Sequence, residues 1–292
     1  MYFTVFTPTY NRAYLLGQVY ASLLNQSYID FKWVIIDDGS KDNTEELVLS
    51  WIKEGRLNII YEKQDNQGRF AAFNNAIKYF EGELLVVLDS DDCLKNHALK
   101  SLHTCWESEK GNHYCGIISY MIDQQDKIIG TPFPPNLEAQ RIYELRDKYR
   151  MKGDKAVFFS IDKIKKYKYP IIKGEKFIGD DFIMNLVNEI EPMYILRDTL
   201  YIREYQKDSI TNHLVSTWCN SPVGMSIYYN QTMNYIHYDK LRYFVYAMKY
   251  VCFAYMSNQK NIIVNANKKT AVLIMYIPGL IYCRYLKYKN KK

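Results

Sequence analysis

The chain has 292 residues, enough for one large domain with an appendage or for two small domains. A hydrophobic fraction of 48% excludes a chain that is disordered throughout. The six cysteines form no CxxC pair, which excludes a short disulfide framework and favours free thiols in a reducing compartment.

Charge is unevenly distributed along the chain. Eleven of the 38 lysines and arginines follow Asp239, whereas none of the 32 acidic residues does. The 27 basic and 32 acidic residues up to that point give the larger part a formal net charge of −5. The sequence therefore describes an acidic body with a strongly basic C-terminal tail.

The first hundred residues alternate strand and helix signals, which predicts an α/β fold with a parallel sheet. Strands are expected at Tyr2–Phe6, Lys32–Ile36, Leu57–Tyr61 and Leu84–Leu88. The connecting helices are expected from Ala13 to Asn25, after Asp42, and through Phe73 and Ile77. No signal peptide precedes the first strand, so we expect the catalytic part to face the cytoplasm.

The fourth predicted strand ends on three carboxylates in four residues, Asp89, Asp91 and Asp92. A strand that is apolar throughout is typical of the middle of a parallel sheet, whose C-terminal edge binds ligands. Asp89 and Asp91 would repel each other there without a cation or strong donors between them. Closely spaced oxygen ligands suit Mg²⁺ or Mn²⁺, and a solvated Asp-rich turn is the alternative.

The pattern is less regular between residues 111 and 213. Gly116–Met121 and Lys127–Gly130 are predicted to pair as a hairpin. Further strands are predicted at Ala156–Ser160 and Tyr194–Arg203, and a helix with an acidic first turn from Asp180 to Ile190.

From about Leu214 the chain is rich in aromatic residues and is predicted to be helical. Thr270–Cys283 holds no charged residue but is too short to span a bilayer, and basic residues flank it on both sides. This pattern is typical of an interfacial or re-entrant segment held against anionic lipid; a helix packed on the domain is the alternative. No nucleic-acid recognition motif accompanies the basic tail.

Three motifs at strand ends resemble those of the family 2 glycosyltransferases: Thr7-Pro8-Thr9-Tyr10-Asn11-Arg12, Asp37-Asp38-Gly39-Ser40 and Asp89-Ser90-Asp91-Asp92. The resemblance is strong over residues 1–110 and looser to about residue 212. It implies a GT-A fold, in which a Rossmann-like nucleotide-binding sheet carries helices on both faces. It also implies a sugar-nucleotide donor, Mg²⁺ or Mn²⁺, and inversion at the anomeric carbon.

The resemblance also implies roles for individual residues. Donor binding is expected of ten residues, Thr7, Pro8, Tyr10, Asp37, Asp38, Asn66, Gly68, Arg69, Asp89 and Ser90. The alternative for Asp37 is to cap the turn that follows it, and for Arg69 to pair with a surface acid. Asp91 is expected to coordinate the metal with Asp89 in support, and Asp92 to cap a helix. His213 is a further candidate for the metal or diphosphate, or an ordinary surface histidine.

Single displacement needs a base that takes the proton of the acceptor hydroxyl. Gly179-Asp180-Asp181-Phe182 resembles the Glu-Asp motif of the family, with aspartate in place of the first acid. We expect Asp181 to be the base and treat Asp180 as its competitor. A pair of acids that only complements a helix dipole is the alternative.

These expectations describe a hexosyltransferase that moves a sugar from a UDP-type donor to a hydroxyl of a glycan or lipid-linked acceptor. Residues 1–213 are expected to form the GT-A domain, with a donor half (1–110) and an acceptor half (111–213). Residues 214–292 are expected to form a helical extension that contacts an anionic membrane, which would make the protein peripheral on the inner face of the cell membrane.

Two other functions compete with transfer of a sugar. One is a catalytically silent homologue that serves as a membrane-bound scaffold. The other is a nucleotidyltransferase, which would need a glycine-rich first loop to grip a triphosphate. Thr7–Arg12 contains no glycine, which disfavours that function.

Overall fold

The computed structural model describes residues 1–204 and 213–290, which belong to two compact units. The first unit consists of Met1–Ile142, Met151–Lys168 and the described residues from Val187 to Glu204. The second consists of Tyr143–Arg150, Tyr169–Leu186 and the described residues from His213 onward.

One mixed sheet forms the centre of the first unit. Its strands are β1 (Phe3–Thr9), β2 (Phe31–Asp37), β3 (Ile59–Lys63), β4 (Leu84–Val87), β5 (Cys93–Leu94), β6 (Gly116–Ile122), β7 (Ala139–Gln140), β8 (Lys155–Ser160) and β9 (Met193–Ile202). Their order is β3-β2-β1-β4-β8-β6-β9-β5, and β7 pairs with β9. Strands β1 to β4 are parallel to one another, whereas β8 runs antiparallel to β4 and β6.

Helices connect and follow these strands. Those before the C-terminal segment are α1 (Ala13–Leu24), α2 (Thr44–Glu54), α3 (Arg69–Ala76), α4 (Ala98–Glu109), α5 (Ile142–Asp147), α6 (Ile161–Ile164) and α7 (Asp181–Ile190). The C-terminal ones are α8 (Leu214–Cys219), α9 (Pro222–Thr232), α10 (Lys240–Met256), α11 (Lys269–Ile274) and α12 (Tyr276–Lys289).

The central strands are buried because helices cover them. All seven residues of β2 are buried, as expected for a strand between two parallel neighbours. Trp33 of β2 is completely buried and lies in a stack with Tyr20 and Trp51, whose ring centroids are 4.4 Å apart. Burial of such side chains contributes about 2 kcal/mol each to stability, so this stack holds β2 firmly in the sheet.

The predicted strands and helices of the first hundred residues are confirmed, with different ends. β1 and β2 continue to Thr9 and Asp37, so the polar residues at their ends belong to the strands themselves.

The predicted hairpin is only partly present, because Lys127–Gly130 pairs with β6 through a single bridge between Ile122 and Ile128. Gly130, at φ +74°, turns the chain toward Gly153, and the amide of Thr131 then donates to the carbonyl of Lys152. The chain thus leaves the edge of β6 before a second strand can form.

In the second unit α10 contacts α9, α11 and α12. Its buried residues include Ala247, Tyr250 and Val251. The carboxylate of Glu175 accepts hydrogen bonds from the amides of Val223 and Gly224 in the first turn of α9, which stabilises that end of the helix. Within the described ranges, no helix combines the length and the apolar character that crossing a membrane requires.

Gly279 allows α12 to approach α10 closely, and this contact is testable. A Cβ atom at residue 279 would lie 2.5 Å from Cβ of Val251, whereas one at Gly17 of α1 would meet nothing within 4 Å. Gly279→Ala should lower the free energy of unfolding by about 1–3 kcal/mol because the helices must separate. Gly17→Ala should raise it by about 0.5–1 kcal/mol because alanine favours the helix. Urea unfolding of both variants measures this; equal stability of Gly279→Ala and the unmodified chain would contradict the packing.

Candidate functional site

The C-terminal ends of β1, β2 and β4 lie along one edge of the sheet, because the three strands are parallel neighbours. Hydrogen bonds join the residues that follow β1 and β2. The amide of Asn11 donates to Oγ of Ser40 at 2.8 Å, and the amide of Lys41 donates to Oδ1 of Asn11 at 2.7 Å. The first two sequence motifs therefore form one continuous surface.

Asp37 and Asp38 are both buried, and their carboxylates organise the neighbouring loops. Asp37 accepts from the amide of Ser40 and from the hydroxyl of Tyr61, each at 2.7 Å. Asp38 accepts from the side chain of Gln64 and from the amides of Gln67 and Gly68 at 2.7–2.8 Å. These contacts pin the loop of residues 64–68 against the end of β2.

Two glycines permit this close approach. Gly39 has φ +82°, and a Cβ atom there would lie 3.1 Å from the carbonyl oxygen of Gln64. Gly68 has φ +94° and precedes the first residue of α3. Both conformations are strained for residues with a side chain, so the two glycines are needed where the loops meet.

The other expected donor-binding residues have differing exposure. Thr7 is completely buried and its hydroxyl accepts from the indole of Trp33 at 2.9 Å, so that side chain points into the core. Tyr10 is 43% exposed, and Pro8 and Asn66 are half-buried. Thr9, at the end of β1, is a buried residue whose hydroxyl has no hydrogen-bond partner within the described part of the chain.

Beyond the end of β4 lies the aspartate cluster, Asp89, Asp91 and Asp92, whose ligand atoms all lie within 4.8 Å of one another. At this separation two ionised carboxylates repel by about 3 kcal/mol at an effective dielectric constant of about 20. Burial and the charges of Asp89 and Asp91 raise the pKa of Asp92 to about 8. Burial, with a contribution from Asp89, also raises the pKa of Asp91 despite the opposing charge of Arg12.

Two arginines offset part of this negative charge. Nη1 of Arg12 lies 2.9 Å from Oδ2 of Asp91, and Nη2 of Arg69 lies 3.0 Å from Oδ1 of Asp89. Arg12 follows β1 and Arg69 opens α3. These ion pairs therefore join the first motif and the start of α3 to the third motif.

The expectation that Asp92 caps a helix is wrong. α4 begins only at Ala98, and its N-cap residue is His97. Asp92 instead accepts from the amide of Glu204 at 3.0 Å, and the hydroxyl of Tyr201 accepts from the amide of Asp89 at 3.1 Å. The end of β9, which is distant from the cluster in sequence, thus contacts two of its aspartates.

The donor set of the aspartate cluster fits a hard divalent cation. Three carboxylates are close enough to share one ion, and such an ion would relieve the repulsion that raises the pKa values of Asp91 and Asp92. Carboxylate oxygens suit Mg²⁺ and Mn²⁺ better than they suit softer metals. Among the described residues this is the one group of three or more potential ligands, and His213 is not part of it.

The two candidate bases lie in the second unit at the start of α7. Asp180 is exposed, and its backbone carbonyl accepts from the hydroxyl of Tyr169. The carboxylate of Asp181 is ion-paired with Arg146 and accepts from the hydroxyl of Tyr228 at 3.3 Å. Burial opposes ionisation of Asp181, but Arg146 and Tyr228 outweigh it and hold the pKa of this carboxyl below its ordinary value. Asp181 is therefore ionised at neutral pH.

His213 also lies in the second unit, where it is exposed and precedes the first residue of α8. Its backbone carbonyl accepts from the hydroxyl of Ser216 at 2.9 Å.

Four residues of the two sites had no role assigned from the sequence: Arg12, Tyr201, Arg146 and Tyr228. Arg12 belongs to the first motif, so its position carried a usable signal. The other three come from segments without a motif, and only folding brings them to the carboxylates.

Comparison with known proteins identifies the family of this chain. The model for "Glycosyl transferase family 2" matches residues 4–167, and the chain belongs to this family. A relative from Campylobacter jejuni, named GalNAc(5)-diNAcBac-PP-undecaprenol beta-1,3-glucosyltransferase, is 27% identical over 217 residues. That match covers 71% of this chain and 66% of the relative. Some matches are shorter, and the chain spans only 40% and 39% of the length of two uncharacterised glycosyltransferases from Nostoc sp. and Haemophilus influenzae.

Solved structures share the fold. Residues 1–349 of S. aureus TarS, in complex with UDP-GlcNAc, superimpose with a TM-score of 0.62 at 18% identity, covering 96% of this chain and 80% of that TarS fragment. The mannosyltransferase PcManGT from Pyrobaculum calidifontis, in complex with GDP-Man and Mn²⁺, gives a TM-score of 0.58 at 14% identity. That likeness covers 99% of this chain and 83% of PcManGT. The predicted GT-A fold with C-terminal helices is confirmed.

Asp38→Ala tests the role of this carboxylate in organising the loop of residues 64–68. The variant removes the acceptor for three donors, two of them backbone amides, so we expect a loss of about 1–3 kcal/mol in the free energy of unfolding. Urea unfolding measures this loss. Asp65→Ala, which removes an exposed carboxylate of the same loop, is the control and should change stability by less than about 0.5 kcal/mol. Equal stability of the two variants would rule out the bracing role of Asp38.

Proposed function

We propose that this protein is an inverting glycosyltransferase that transfers a sugar from a UDP-type donor to a hydroxyl group of a glycan or lipid-linked acceptor. The observation that carries the proposal is the aspartate cluster on the same sheet edge as the loops braced by Asp37 and Asp38. Family membership and the sugar nucleotides named for TarS and PcManGT support a donor of this class.

In this proposal the donor lies along the C-terminal edge of β1, β2 and β4. The nucleoside contacts Pro8, Tyr10 and the loop of Asn66 to Gly68, while Asp37 and Asp38 hold these loops in place. The diphosphate lies near Arg12 and Arg69, whose guanidinium groups provide positive charge beside the aspartate cluster. Ser90, which lies between two of the aspartates, contacts the same part of the donor.

Asp91 and Asp89 are the residues that would hold a divalent cation, Mg²⁺ or Mn²⁺. When bound, such a cation offsets negative charge on the diphosphate that leaves. The two arginines now paired with these carboxylates would then be available to the phosphate oxygens. His213 remains a candidate for the same diphosphate.

Single displacement requires that the acceptor hydroxyl lose its proton as its oxygen attacks the anomeric carbon. We propose Asp181 as the acceptor of that proton, because it is ionised and is held in one orientation by Arg146 and Tyr228. The same partners make it a weaker base than a free aspartate. Asp180, its exposed neighbour, is the competing candidate.

For the whole chain we propose a GT-A domain over residues 1–213 and a helical extension over residues 214–292. We place the enzyme in the cytoplasm at the inner face of the cell membrane. The basic C-terminal segment and the undecaprenol diphosphate in the name of the C. jejuni relative support a lipid-linked acceptor at that location.

Asp91→Asn tests the metal assignment. Because it weakens a cation ligand, the variant should lose about 100-fold or more of metal-dependent sugar transfer or donor hydrolysis. A panel of sugar nucleotides with Mg²⁺ or Mn²⁺ supplies the assay, and release of the nucleoside diphosphate supplies the readout. Asp162→Asn, a highly exposed acid, should retain full activity. Full activity of Asp91→Asn would refute the assignment of the metal site. If the unmodified protein binds nucleotide equally well with and without the metal, the scaffold function would be favoured.

Asp181→Asn and Asp180→Asn separate the two candidate bases. Asp181→Asn should bind UDP as the unmodified protein does but lose about 100-fold or more in kcat, whereas Asp180→Asn should retain turnover. The reverse result would make Asp180 the base.

Tyr228→Phe adds a pH readout to this comparison. Loss of the hydroxyl removes a hydrogen bond that favours the ionised carboxyl, so the pKa of Asp181 should rise. The acid limb of the kcat–pH profile should therefore move to higher pH, with little change at neutral pH. An unmoved acid limb would show that Asp181 does not set it.

A further inference from the structure

Helices α11 and α12 expose a row of large apolar side chains, here called the outer face. It consists of Leu273, Ile274, Ile277, Ile281, Tyr285 and Tyr288. Ile277 is 64% exposed and Ile281 is 63% exposed. Monomeric soluble proteins rarely expose contiguous apolar surface of this kind, which marks an interaction site.

The outer face of α12 lies on one side of the helix. Ile277, Ile281, Tyr285 and Tyr288 follow at intervals of four, four and three residues, which places them on one stripe at about 3.6 residues per turn. The buried residues Gly279, Cys283 and Leu286 occupy the opposite side. A Cβ atom on Gly279 would meet Val251, so that opposite side faces α10.

A helix that is apolar on both sides is normally buried on both sides, either in protein or in a membrane. Here α10 covers one side, while the other is exposed in the described structure. Packing among the described residues of the second unit therefore leaves the outer face uncovered.

Positive charge surrounds the outer face. Arg284, Lys287 and Lys289 are exposed on α12, and Lys269 is exposed at the start of α11. No acidic residue occurs anywhere after Asp239. An apolar stripe on two helices whose charged residues are all basic is complementary to the surface of a bilayer that contains anionic lipid.

We propose that the outer face inserts into the interfacial region of an anionic phospholipid bilayer, with α12 parallel to the membrane surface. The inference deepens the membrane location given under the proposed function and rests on it. Apolar insertion then supplies a large part of the binding, and the basic residues select anionic lipid. A second copy of this chain fits the surface less well, because a symmetric contact would bring two basic segments together.

The test measures binding of the full-length protein to vesicles, without donor or acceptor. Vesicles of 30% phosphatidylglycerol and 70% phosphatidylcholine are compared with pure phosphatidylcholine in a co-sedimentation assay at about 0.1 M salt. Ile277→Asn combined with Ile281→Asn should weaken binding to anionic vesicles about tenfold or more. Lys287→Gln combined with Lys289→Gln should weaken it as well, and added salt should reduce this difference.

Matched controls distinguish the effect of the outer face from that of exposed apolar side chains elsewhere on the protein. Ile29→Asn combined with Ile171→Asn removes two other exposed isoleucines, 84% and 52% exposed, and should leave vesicle binding unchanged. Tyr285→Ser combined with Tyr288→Ser repeats the test on the same stripe, should the isoleucine variant fail to fold. Circular dichroism verifies the fold of each variant, and light scattering reports the oligomeric state.

Unchanged binding by both outer-face variants would overturn the proposal. Absence of vesicle binding, with an oligomer that the isoleucine variant dissociates, would assign the surface to a second copy instead. Donor hydrolysis in detergent-free solution, measured in parallel, shows whether the transferase proposal fails separately from this one.

Discussion

Mutual repulsion of three carboxylates at the end of β4 is the constraint on which the first unit depends. Asp89, Asp91 and Asp92 follow a buried strand, and their oxygens come within 4.8 Å of one another. Arg12, Arg69 and the end of β9 all converge on this point to offset the charge. Burial that raises the pKa values of Asp91 and Asp92 leaves the region ready to gain a cation. A divalent cation bound there, as proposed, would offset this negative charge.

At Asp181 the surrounding groups shift the carboxyl pKa in the opposite direction. There a single carboxylate has an arginine and a tyrosine hydroxyl as partners, and its pKa lies below the ordinary value. Removing one member of a buried ion pair is costly, because it leaves the other charge without a partner. Conservative variants such as Tyr228→Phe therefore report on the chemistry more cleanly than charge deletions do. The two environments push carboxylate pKa values apart, as enzymes that need distinct acid and metal-binding roles often do.

The sequence left two alternatives for the C-terminal apolar segment, contact with anionic lipid or packing on the domain. The structure makes the two alternatives compatible. The apolar segment packs on the protein through Gly279 and Cys283, and it also exposes Ile277 and Ile281. Because side chains around a helix point in all directions, one segment can satisfy both environments. If the outer face lies in the bilayer and the acceptor is lipid-linked, as proposed, the second unit holds the enzyme close to its acceptor. The candidate base belongs to that same unit.

The sequence alone determined the alternation of strands and helices, the order of the motifs and the acidic edge of the sheet. It could do so because hydrophobic periodicity and strand-end polarity are local properties. The predicted role of Asp92 as a helix cap is wrong, because its partner Glu204 is distant in sequence. Within the described structure, the second strand of the predicted hairpin is absent because contacts between Gly130 and Gly153 turn the chain away. Only the tertiary structure decided that Arg146 pairs with Asp181 and that Tyr201 holds Asp89. Ion pairs between distant segments depend on how the chain folds back on itself, and no local pattern encodes them.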